Sequence, residues 1–230
     1  MPRTTYLAIA LLSLILVTPA GESLAACGDE PAAGVDWSKC IKTRLRLANR
    51  DLSNAVLERT DLGGSDLKGA NLSGAAMEGA DLSRARLAEA DLTGASLLQV
   101  YAGRANFQEA QMKGASLFKA ELPRSDFREA DLTEADLTKA EMSRTDFTGA
   151  NLTNAKLAGA LLIRVVMKDA ELEGADFTGA LFLLAHFEGA DLSRAKGLTQ
   201  TQLERACGDK DTVLPEGLTP PATWPCALDD

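Results

Sequence analysis

The chain has 230 residues, of which 46% are hydrophobic and 25% are charged, and its formal net charge is −9. These values are ordinary for one soluble domain with a sizeable core. The excess of acidic residues argues against a protein that binds nucleic acid through its phosphates, because such a protein normally presents a basic face. An acidic surface would suit a basic partner, but a charged, solvated surface is the simpler interpretation.

Residues 1–26 have the pattern of a secretory signal peptide. Arg3 precedes an apolar run over residues 6–17, and small residues, among them Ala25 and Ala26, surround the expected cleavage site. The run is too short for a membrane span, which needs about 20 residues. We therefore predict an exported, periplasmic protein without a membrane span, whose leader is removed after Ala25 or Ala26.

A lipid anchor is the alternative at the same place. Residues 24–27, Leu-Ala-Ala-Cys, resemble a lipobox, in which Cys27 becomes the lipidated first residue of an anchored lipoprotein. The segment between Thr18 and Ser23 separates the apolar run from Cys27 more than a lipobox usually allows. Cleavage without lipidation is the preferred interpretation, and the anchored lipoprotein stays open as the alternative.

Residues 27–46 lack the regular pattern of the segment that follows them. They contain Gly28, Pro31 and Gly34 before Trp37 and Cys40. We predict that this irregular segment forms an N-terminal cap, with Trp37 as a plug over the first coil of the repeat region.

From residue 47 to residue 195 a large apolar residue recurs at every fifth position, with a small residue two places before it. Units such as Ala-Asp-Leu-Ser-Arg at 80–84 and Ala-Asn-Leu-Thr-Asn at 150–154 continue in one phase for about 30 repeats. The series breaks once, where Val100 is larger than the usual small residue and Ala102 is smaller than the usual central one. A period of five fits neither an α-helix nor a β-strand.

These units resemble the repeat of the pentapeptide-repeat family, whose signature is A-(D/N)-L-x-x. The resemblance covers residues 47–195 and implies an all-β fold, a right-handed quadrilateral β-helix with four units per coil and about 7.5 coils. In such a coil the large central residue and the small residue face inward, and the intervening residues face water. Each residue then stacks on the residue 20 positions later.

Stacking at 20 residues predicts ladders along the column. One inward ladder, interrupted by Met167, should contain Phe107, Phe127, Phe147 and Phe187 as core packing. The outward position before each central residue is mostly Asp or Asn, so acidic ladders should run along the outside. Bonding of these side chains to nearby turn backbone is their simpler interpretation.

Six large apolar residues near the end of the repeats occupy outward positions: Leu161, Ile163, Val166, Leu181, Leu183 and Leu184. Leu161 should stack on Leu181, and Ile163 on Leu183. Contiguous exposed apolar surface of this kind usually marks a contact site. We predict a surface for an unknown protein partner or for a homodimer, and the alternative is that the C-terminal segment folds over it.

Residues 196–230 are predicted to form a C-terminal cap. A short helix over residues 199–206 should begin at Thr199, because threonine favours a helix start. The extended, proline-rich tail that follows is similar to that of many exported bacterial family members, in which a short LTQxQL helix precedes ACGD, LPxGL and a W-P dipeptide. This resemblance implies an anchoring role for Trp224.

All four cysteines lie outside the repeats. An even number of cysteines in an exported chain favours disulfides. Of the three connectivities, only Cys27–Cys40 with Cys207–Cys226 joins neighbours within each end, so we predict these local pairs. A metal site is disfavoured because there is no Cys-x-x-Cys pair and His186 is the only histidine, and no cofactor is predicted.

The repeat pattern offers no catalytic arrangement, because His186 stands at an outward position and no Ser/His/Asp set, Cys/His set or Gly-rich phosphate loop occurs. We therefore predict a non-catalytic, exported module for protein interaction or structure that presents a rigid acidic rod. The family resemblance supplies the alternative, a DNA-mimicking binder of a type II topoisomerase such as gyrase. The export signal opposes that alternative, since gyrase is cytoplasmic.

Overall fold

The structure is a computed structural model that describes residues 27–226. The predicted signal peptide at residues 1–26 lies outside the described residues. Across residues 27–226, no helix is long and apolar enough to cross a membrane.

Each five-residue unit contains a bridge residue followed by a tight turn. The N–H of Ala85 donates to the Leu82 carbonyl at 2.9 Å, which closes a β-turn around Ser83 and Arg84. Arg84 has a φ of 59°, in the left-handed region that the third residue of a type II turn requires. Glycine adopts this conformation at the least cost, and the same turn position is often glycine, as at Gly114 with a φ of 65°.

Successive coils pair in parallel at a spacing of 20 residues. Asp81, for example, pairs with Asp61 in the preceding coil and with Tyr101 in the following one. One ladder of such pairs runs from Asp36 to Lys196 in eight steps. Because each step contains four turns, the column has four faces and four corners.

We name the faces by their bridge residues. Face A carries Asp36 and every twentieth residue after it, face B begins at Ile41, face C at Arg46 and face D at Asp51. Each corner is named by the two faces that it joins. The turn at residues 43–44 therefore lies at corner B–C, the turn at 48–49 lies at corner C–D, and the corresponding turns of later coils share those corners.

The core consists of the central residues and the small residues of the units. Every central residue from Leu47 to Leu192 is buried, together with every small residue from Ala55 to Ala190. Where a small residue carries a hydroxyl, that hydroxyl is satisfied by backbone: Thr60 Oγ1 donates to the Trp37 carbonyl at 2.6 Å. No buried side-chain nitrogen or oxygen in the described part of the chain lacks a hydrogen-bond partner.

The predicted phenylalanine ladder forms over three coils. Phe107 and Phe127 stack with ring centroids 4.6 Å apart, and Phe127 and Phe147 stack at 4.9 Å. Above Met167 the arrangement changes, because Phe187 meets Phe177 edge-on at 6.1 Å. The stacked part of the prediction is confirmed, and Phe187 belongs to a separate edge-on cluster.

The irregular pair Val100 and Ala102 leaves the column intact. Both side chains are fully buried, and Tyr101 between them pairs with Asp81 and Glu121. The enlarged small-position residue and the reduced central residue offset each other in volume, which a core tolerates better than a void.

The named strands lie at the C-terminal end of the column. Strand β1 (Leu161–Ile163) pairs in parallel with β2 (Leu181–Leu183). Strand β3 (Ala185–His186) pairs in parallel with β4 (Ala206–Cys207). The helix α1 (Gln200–Leu203) lies between β3 and β4 in the sequence. Elsewhere in residues 27–226 the coils are joined by single bridges.

The column begins earlier than the predicted boundary at residue 47. Asp36 pairs with Val56, and two further bridges join residues 41 and 46 to the second coil. Trp37 occupies a central inward position, fully buried, so it is a core residue of the first coil and not a plug above it. The repeat pattern fades here because Lys42 stands where leucine is usual; its Nζ lies 3.9 Å from the Trp37 ring centroid.

The C-terminal helix is shorter than the predicted range of 199–206. Thr199 caps it as predicted, in a capping box with Gln202. The chain leaves the helix after Leu203 because the last coil offers unpaired strand edges, and Ala206 and Cys207 pair there as β4. Val213 then pairs with Asp191 on face D, so the cap continues the coil over the end of the column.

Candidate functional site

Two disulfides fasten the ends of the described structure, in the predicted local pairing. Cys27 joins Cys40, with Cα atoms 5.6 Å apart, and Cys207 joins Cys226, with Cα atoms 5.4 Å apart. Cys40 is buried in the first coil and Cys207 is buried in β4. Each bridge therefore ties an irregular terminal segment to a residue of the solenoid.

The tail is also held by Trp224, which the sequence analysis expected to act as an anchor. The indole Nε1 of Trp224 donates to the Ala206 carbonyl at 2.6 Å. The Asp209 carboxylate accepts from the Gly189 N–H at 3.1 Å and from the Thr212 N–H at 3.0 Å. These contacts place the tail against the end of the column.

Four of the predicted apolar residues form one patch, at the C-terminal end of face B and corner B–C. The parallel register pairs Leu161 with Leu181 and Ile163 with Leu183, as the spacing of 20 residues predicts. Leu181 keeps 44% of its surface exposed and Leu183 keeps 47%. The other two side chains are half-buried beneath them. We call Leu161, Ile163, Leu181 and Leu183 the apolar patch.

The other two predicted residues are placed differently. Val166 pairs with Asp146 and His186, so it lies on face C, around the corner from the patch. Leu184 is half-buried, and its N–H donates to the Arg205 carbonyl at 2.7 Å. It stands at the second turn position of corner B–C with a φ of 52°, a conformation that costs about 1–2 kcal/mol for a residue with a side chain.

The C-terminal segment does not cover the patch within residues 196–226. The side-chain amide of Gln202 in α1 donates to the carbonyls of Phe177 and Ala180, which directs the helix over the end of the coil. Leu181 and Leu183 remain nearly half exposed in the presence of the tail. Residues 196–226 therefore leave these two side chains uncovered.

Face D carries an acidic ladder in which carboxylates and amides largely alternate: Asp51, Asn71, Asp91, Gln111, Asp131, Asn151, Glu171 and Asp191. An amide that lies between two carboxylates lowers the repulsion between them. Asn71 Nδ2, for example, donates to Asp51 Oδ1 at 3.1 Å. The aspartates also accept hydrogen bonds from the backbone of the turns that follow them. The Ser53 N–H donates to Asp51, and that bond, with one from the Ser53 hydroxyl, lowers the pKa of Asp51.

Two aspartates of face C form ion pairs, one with an arginine of the same face and one with an arginine at the neighbouring corner C–D. Arg86 meets Asp66 at 2.6 Å and Arg128 meets Asp126 at 2.6 Å. The hydrogen bond from Arg86 lowers the pKa of Asp66. Burial opposes ionisation of Asp126, but the hydrogen bonds and charge of Arg128 outweigh it and lower the pKa of that carboxyl. Higher on the same face, His186 Nδ1 lies 2.9 Å from Glu188 Oε1.

Corner B–C carries a column of arginines that the sequence analysis missed. They occupy the second turn position with left-handed φ angles and are exposed: Arg44, Arg84, Arg104, Arg124, Arg144 and Arg164. We call the five from Arg84 to Arg164 the arginine column. A shallow groove of about 410 Å³ runs beside it, lined by Arg84, Arg104 and Arg124 and by Ser83, Gly103 and Pro123. The sequence pattern that reveals the column is an arginine at every twentieth residue from Arg84 to Arg164.

Residues 27–226 contain no group of three or more His, Cys, Asp or Glu side chains that could hold a metal ion. A cleft of about 210 Å³ near the C-terminal end is lined by Glu171, Glu173, Asp191 and Arg194, together with three other residues. Arg194 already forms an ion pair with Glu173 there. The exposed surfaces, and not a cavity, are therefore the distinctive features of this column.

Comparison with known protein families identifies the repeat. The family described as pentapeptide repeats matches the chain in eight copies, over residues 51–87, 85–122, 110–149, 145–182 and 170–207. The chain belongs to the pentapeptide-repeat family. The family signature specifies the inward residues and the bridge residue. It leaves the two turn residues open, and those positions hold the arginine column and part of the apolar patch.

Several solved pentapeptide-repeat structures are similar to this chain. HetL, involved in heterocyst differentiation regulation in the cyanobacterium Nostoc sp. strain PCC 7120, is 30% identical, with 80% of this chain and 84% of HetL covered and a TM-score of 0.33. A protein from the Arabidopsis thaliana thylakoid lumen is 35% identical, with 53% and 67% covered and a TM-score of 0.22.

QnrB1, a plasmid-mediated fluoroquinolone resistance protein, is 15% identical, with 83% of this chain and 94% of QnrB1 covered and a TM-score of 0.57. At that identity the likeness shows a shared fold. A comparison with curated proteins finds no significant match.

Proposed function

We propose that this pentapeptide-repeat protein is a non-catalytic, exported binding module that acts in the periplasm. Its right-handed β-helix holds a flat, rigid surface, and a protein partner docks on the apolar patch. The observation that carries the proposal is the exposure of Leu181 and Leu183, at 44% and 47%, on adjacent outward positions of one strand that residues 196–226 leave uncovered.

Rigidity supports this use of the patch. Leu181 and Leu183 stand on a strand that is paired with the coil below, and Phe182 between them is buried in the core. A partner would therefore meet side chains that are already ordered, which lowers the entropic cost of association. Covering the exposed parts of both leucines would contribute about 1–3 kcal/mol.

Export is supported by the leader pattern and by the cysteines. Both disulfides join cysteines in the end segments, and such bonds form and persist outside the reducing cytoplasm. The bridge between Cys27 and Cys40 also favours cleavage without lipidation, because a lipid on the Cys27 sulfur would exclude that bond. Mass spectrometry of the mature N-terminus separates the two forms, since a diacylglyceryl mass on Cys27 would identify the anchored lipoprotein.

The test of the patch is a paired substitution with a control on the same face. The variant Leu181→Asp with Leu183→Asp places two charges in the patch. Tyr101→Asp alters a residue of similar exposure, 49%, near the middle of face B. We expect the first variant to fold normally and to lose its protein partner in cells, and the control to keep it. Equal partner recovery with both variants would remove the patch from the proposal.

A DNA-mimicking binder of a type II topoisomerase is the second candidate. The acidic ladder of face D and the net charge of −9 favour it. Cell fractionation separates the two candidates, because recovery of full-length, uncleaved protein in the cytoplasm would support the topoisomerase binder. Protection of gyrase from inhibition by the purified chain would support it further, and no effect on gyrase would remove it.

A further inference from the structure

Four of the five arginines in the arginine column form no ion pair with the part of the chain that the structure describes. Within the described residues, Arg84, Arg104, Arg124 and Arg144 form no ion pair, and their side chains are exposed. Neighbouring coils are separated by about 4.8 Å, so the column brings like charges close together. Such an array is more stable when opposite charges of the same spacing meet it.

Corner C–D of the same coils carries acidic residues at the matching turn position. Each stands five residues after an arginine of the column, has a left-handed φ and is exposed: Glu89, Glu109, Glu129 and Asp169. Glu89 reaches Lys68 at 2.9 Å. Glu109 and Glu129 form no ion pair in the described part of the chain. We call these four residues the acidic column.

Face C lies between the two columns and is nearly balanced in charge. Two of its aspartates already pair with arginines, Asp66 with Arg86 on the same face and Asp126 with Arg128 at corner C–D. Asn106 occupies the bridge position between these pairs, in the coil between them. On faces B and D, in contrast, every charged bridge residue is acidic. Face C therefore meets a copy of itself with less repulsion than face B or face D would.

We propose that two copies of this chain associate side by side and in parallel, face C against face C. A two-fold axis parallel to the column places corner B–C of one copy opposite corner C–D of the other. The arginine column of each copy then faces the acidic column of its partner. Arg84 lies level with Glu89, Arg104 with Glu109 and Arg124 with Glu129, because each of these pairs belongs to one coil.

The charge arrangement disfavours two other packings that would bring these columns together. An antiparallel pair on face C would place one arginine column against the other. A sideways stack without two-fold symmetry would bring corner B–C to corner C–D, but it would also press acidic face B against acidic face D. The parallel pair alone matches opposite charges at both edges, and its two-fold symmetry closes the assembly at two copies.

Equal pitch makes a second copy a better occupant than another anion. Both columns repeat once per coil of the same fold, so every contact is repeated along the interface without a growing mismatch. A flexible polyanion would have to adopt this spacing and would also meet the acidic residues of face B, such as Asp81 and Glu121, beside the column. Exposed ion pairs are screened by salt, so the dimer should weaken as ionic strength rises.

Charge-swap variants test this arrangement. One chain carries Arg104→Glu with Arg124→Glu, and the other carries Glu109→Arg with Glu129→Arg. Sedimentation equilibrium below about 0.1 M salt, where screening is weak, measures their mass. We expect a dimer for the parent, a monomer for each variant alone, and a heterodimer when the two variants are mixed, because the mixture restores opposite charges at both edges.

The matched control is Lys119→Glu with Lys139→Glu. These lysines occupy the same left-handed turn position at corner A–B. The control therefore changes the net charge by the same amount as Arg104→Glu with Arg124→Glu does, and it leaves face C untouched. We expect this control to dimerise like the parent. Circular dichroism of every chain shows whether the variants keep the parent fold, and the mixed sample shows directly that both variants remain competent to associate.

Several results would overturn the proposal. The proposal is wrong if the parent chain stays monomeric at low salt. It is also wrong if the two variants fail to form heterodimers when mixed while both remain folded. Loss of the dimer in Leu181→Asp with Leu183→Asp would place the interface at the apolar patch. A monomeric parent that binds heparin through Arg104 and Arg124 would assign the column to a linear polyanion. The proposed partner docking on the patch is tested separately, because face C and the patch share no substituted residue.

Discussion

Leu181 is the parallel strand partner of Leu161, one coil apart, and the two leucines face outward while Leu162 and Phe182 beside them face the core. Alternation along so short a strand places an outward-facing leucine next to a fully buried residue. Substitution of a buried residue should therefore lower the stability of the fold, whereas substitution of an outward-facing leucine should weaken binding and leave the stability nearly unchanged.

We expect Leu162→Ala to lower the free energy of unfolding by about 2–5 kcal/mol, because it opens a cavity in a packed core. Leu181→Ala should change it by about 0.5 kcal/mol or less, since the side chain is 44% exposed. Denaturant unfolding, monitored by circular dichroism, measures the free energy of unfolding of both variants. Equal losses for the two variants would contradict the assignment of Leu181 to the surface.

The stacked rings provide a second test of the core. Phe127 contacts Phe107 on one side and Phe147 on the other, with centroids 4.6 Å and 4.9 Å away. Phe127→Ala should cost about 3–5 kcal/mol of unfolding free energy, whereas Phe127→Leu restores the residue that most units carry and should cost clearly less. A loss under about 1 kcal/mol for the alanine variant would contradict stacking at the centre of the column.

The C-terminal disulfide should stabilise the cap more than the column. Cys207 and Cys226 close a loop with a sequence separation of 19, for which removal of a bridge typically costs about 3 kcal/mol. In Cys207→Ser with Cys226→Ser, we expect limited proteolysis to cut the tail first and Trp224 fluorescence to report its release. A tail that stays protected in this variant would show that the hydrogen bonds of Trp224 and Asp209 suffice.

Acid should destabilise the protein through its turn aspartates. The N–H of Gly189 and further hydrogen bonds lower the pKa of Asp209, and hydrogen bonds from Ser193 lower that of Asp191. A carboxyl whose pKa in the folded protein lies below the unfolded value of about 3.9 stabilises the fold at pH values above 3.9. That stabilisation is lost as the pH falls through the folded pKa. The thermal midpoint should therefore be steady from about pH 7 to 5 and fall towards pH 3.

Asp209→Asn provides the matched control for this effect. Asparagine keeps the Oδ1 acceptor for the Gly189 N–H but does not titrate in this range, so the variant should lose less stability on acidification than the parent. Asp209→Ala removes the acceptor and should be less stable at neutral pH as well. An identical acid response in parent and Asn variant would exclude Asp209 as a contributor.

The five-residue period was enough to predict the inward residues and the stacking of Leu161 on Leu181, because both follow from one repeated turn. It failed at the first coil, where Trp37 and Lys42 replace leucine while the backbone continues to pair. It also could not foresee that Ala206 would leave the predicted helix and form β4 with Cys207, since that depends on a strand edge that only the folded column provides.

The candidate surfaces were predicted less completely than the fold. The leucines were found because large apolar residues at outward positions break the pattern. Val166 was grouped with them although a corner separates it from the patch. The arginine column was missed because the turn positions vary freely within the repeat, and its regularity appears only when residues 20 apart are compared.

Photocrosslinking in intact cells, with a photoreactive residue in place of Leu183, tests the proposed binding function most directly. We expect the processed chain in the periplasmic fraction to form one discrete adduct, which disappears when Leu181→Asp is added and does not form from the same probe at position 101. A full-length chain in the cytoplasm, or adducts that are the same from positions 101 and 183, would contradict an exported module that binds through its apolar patch.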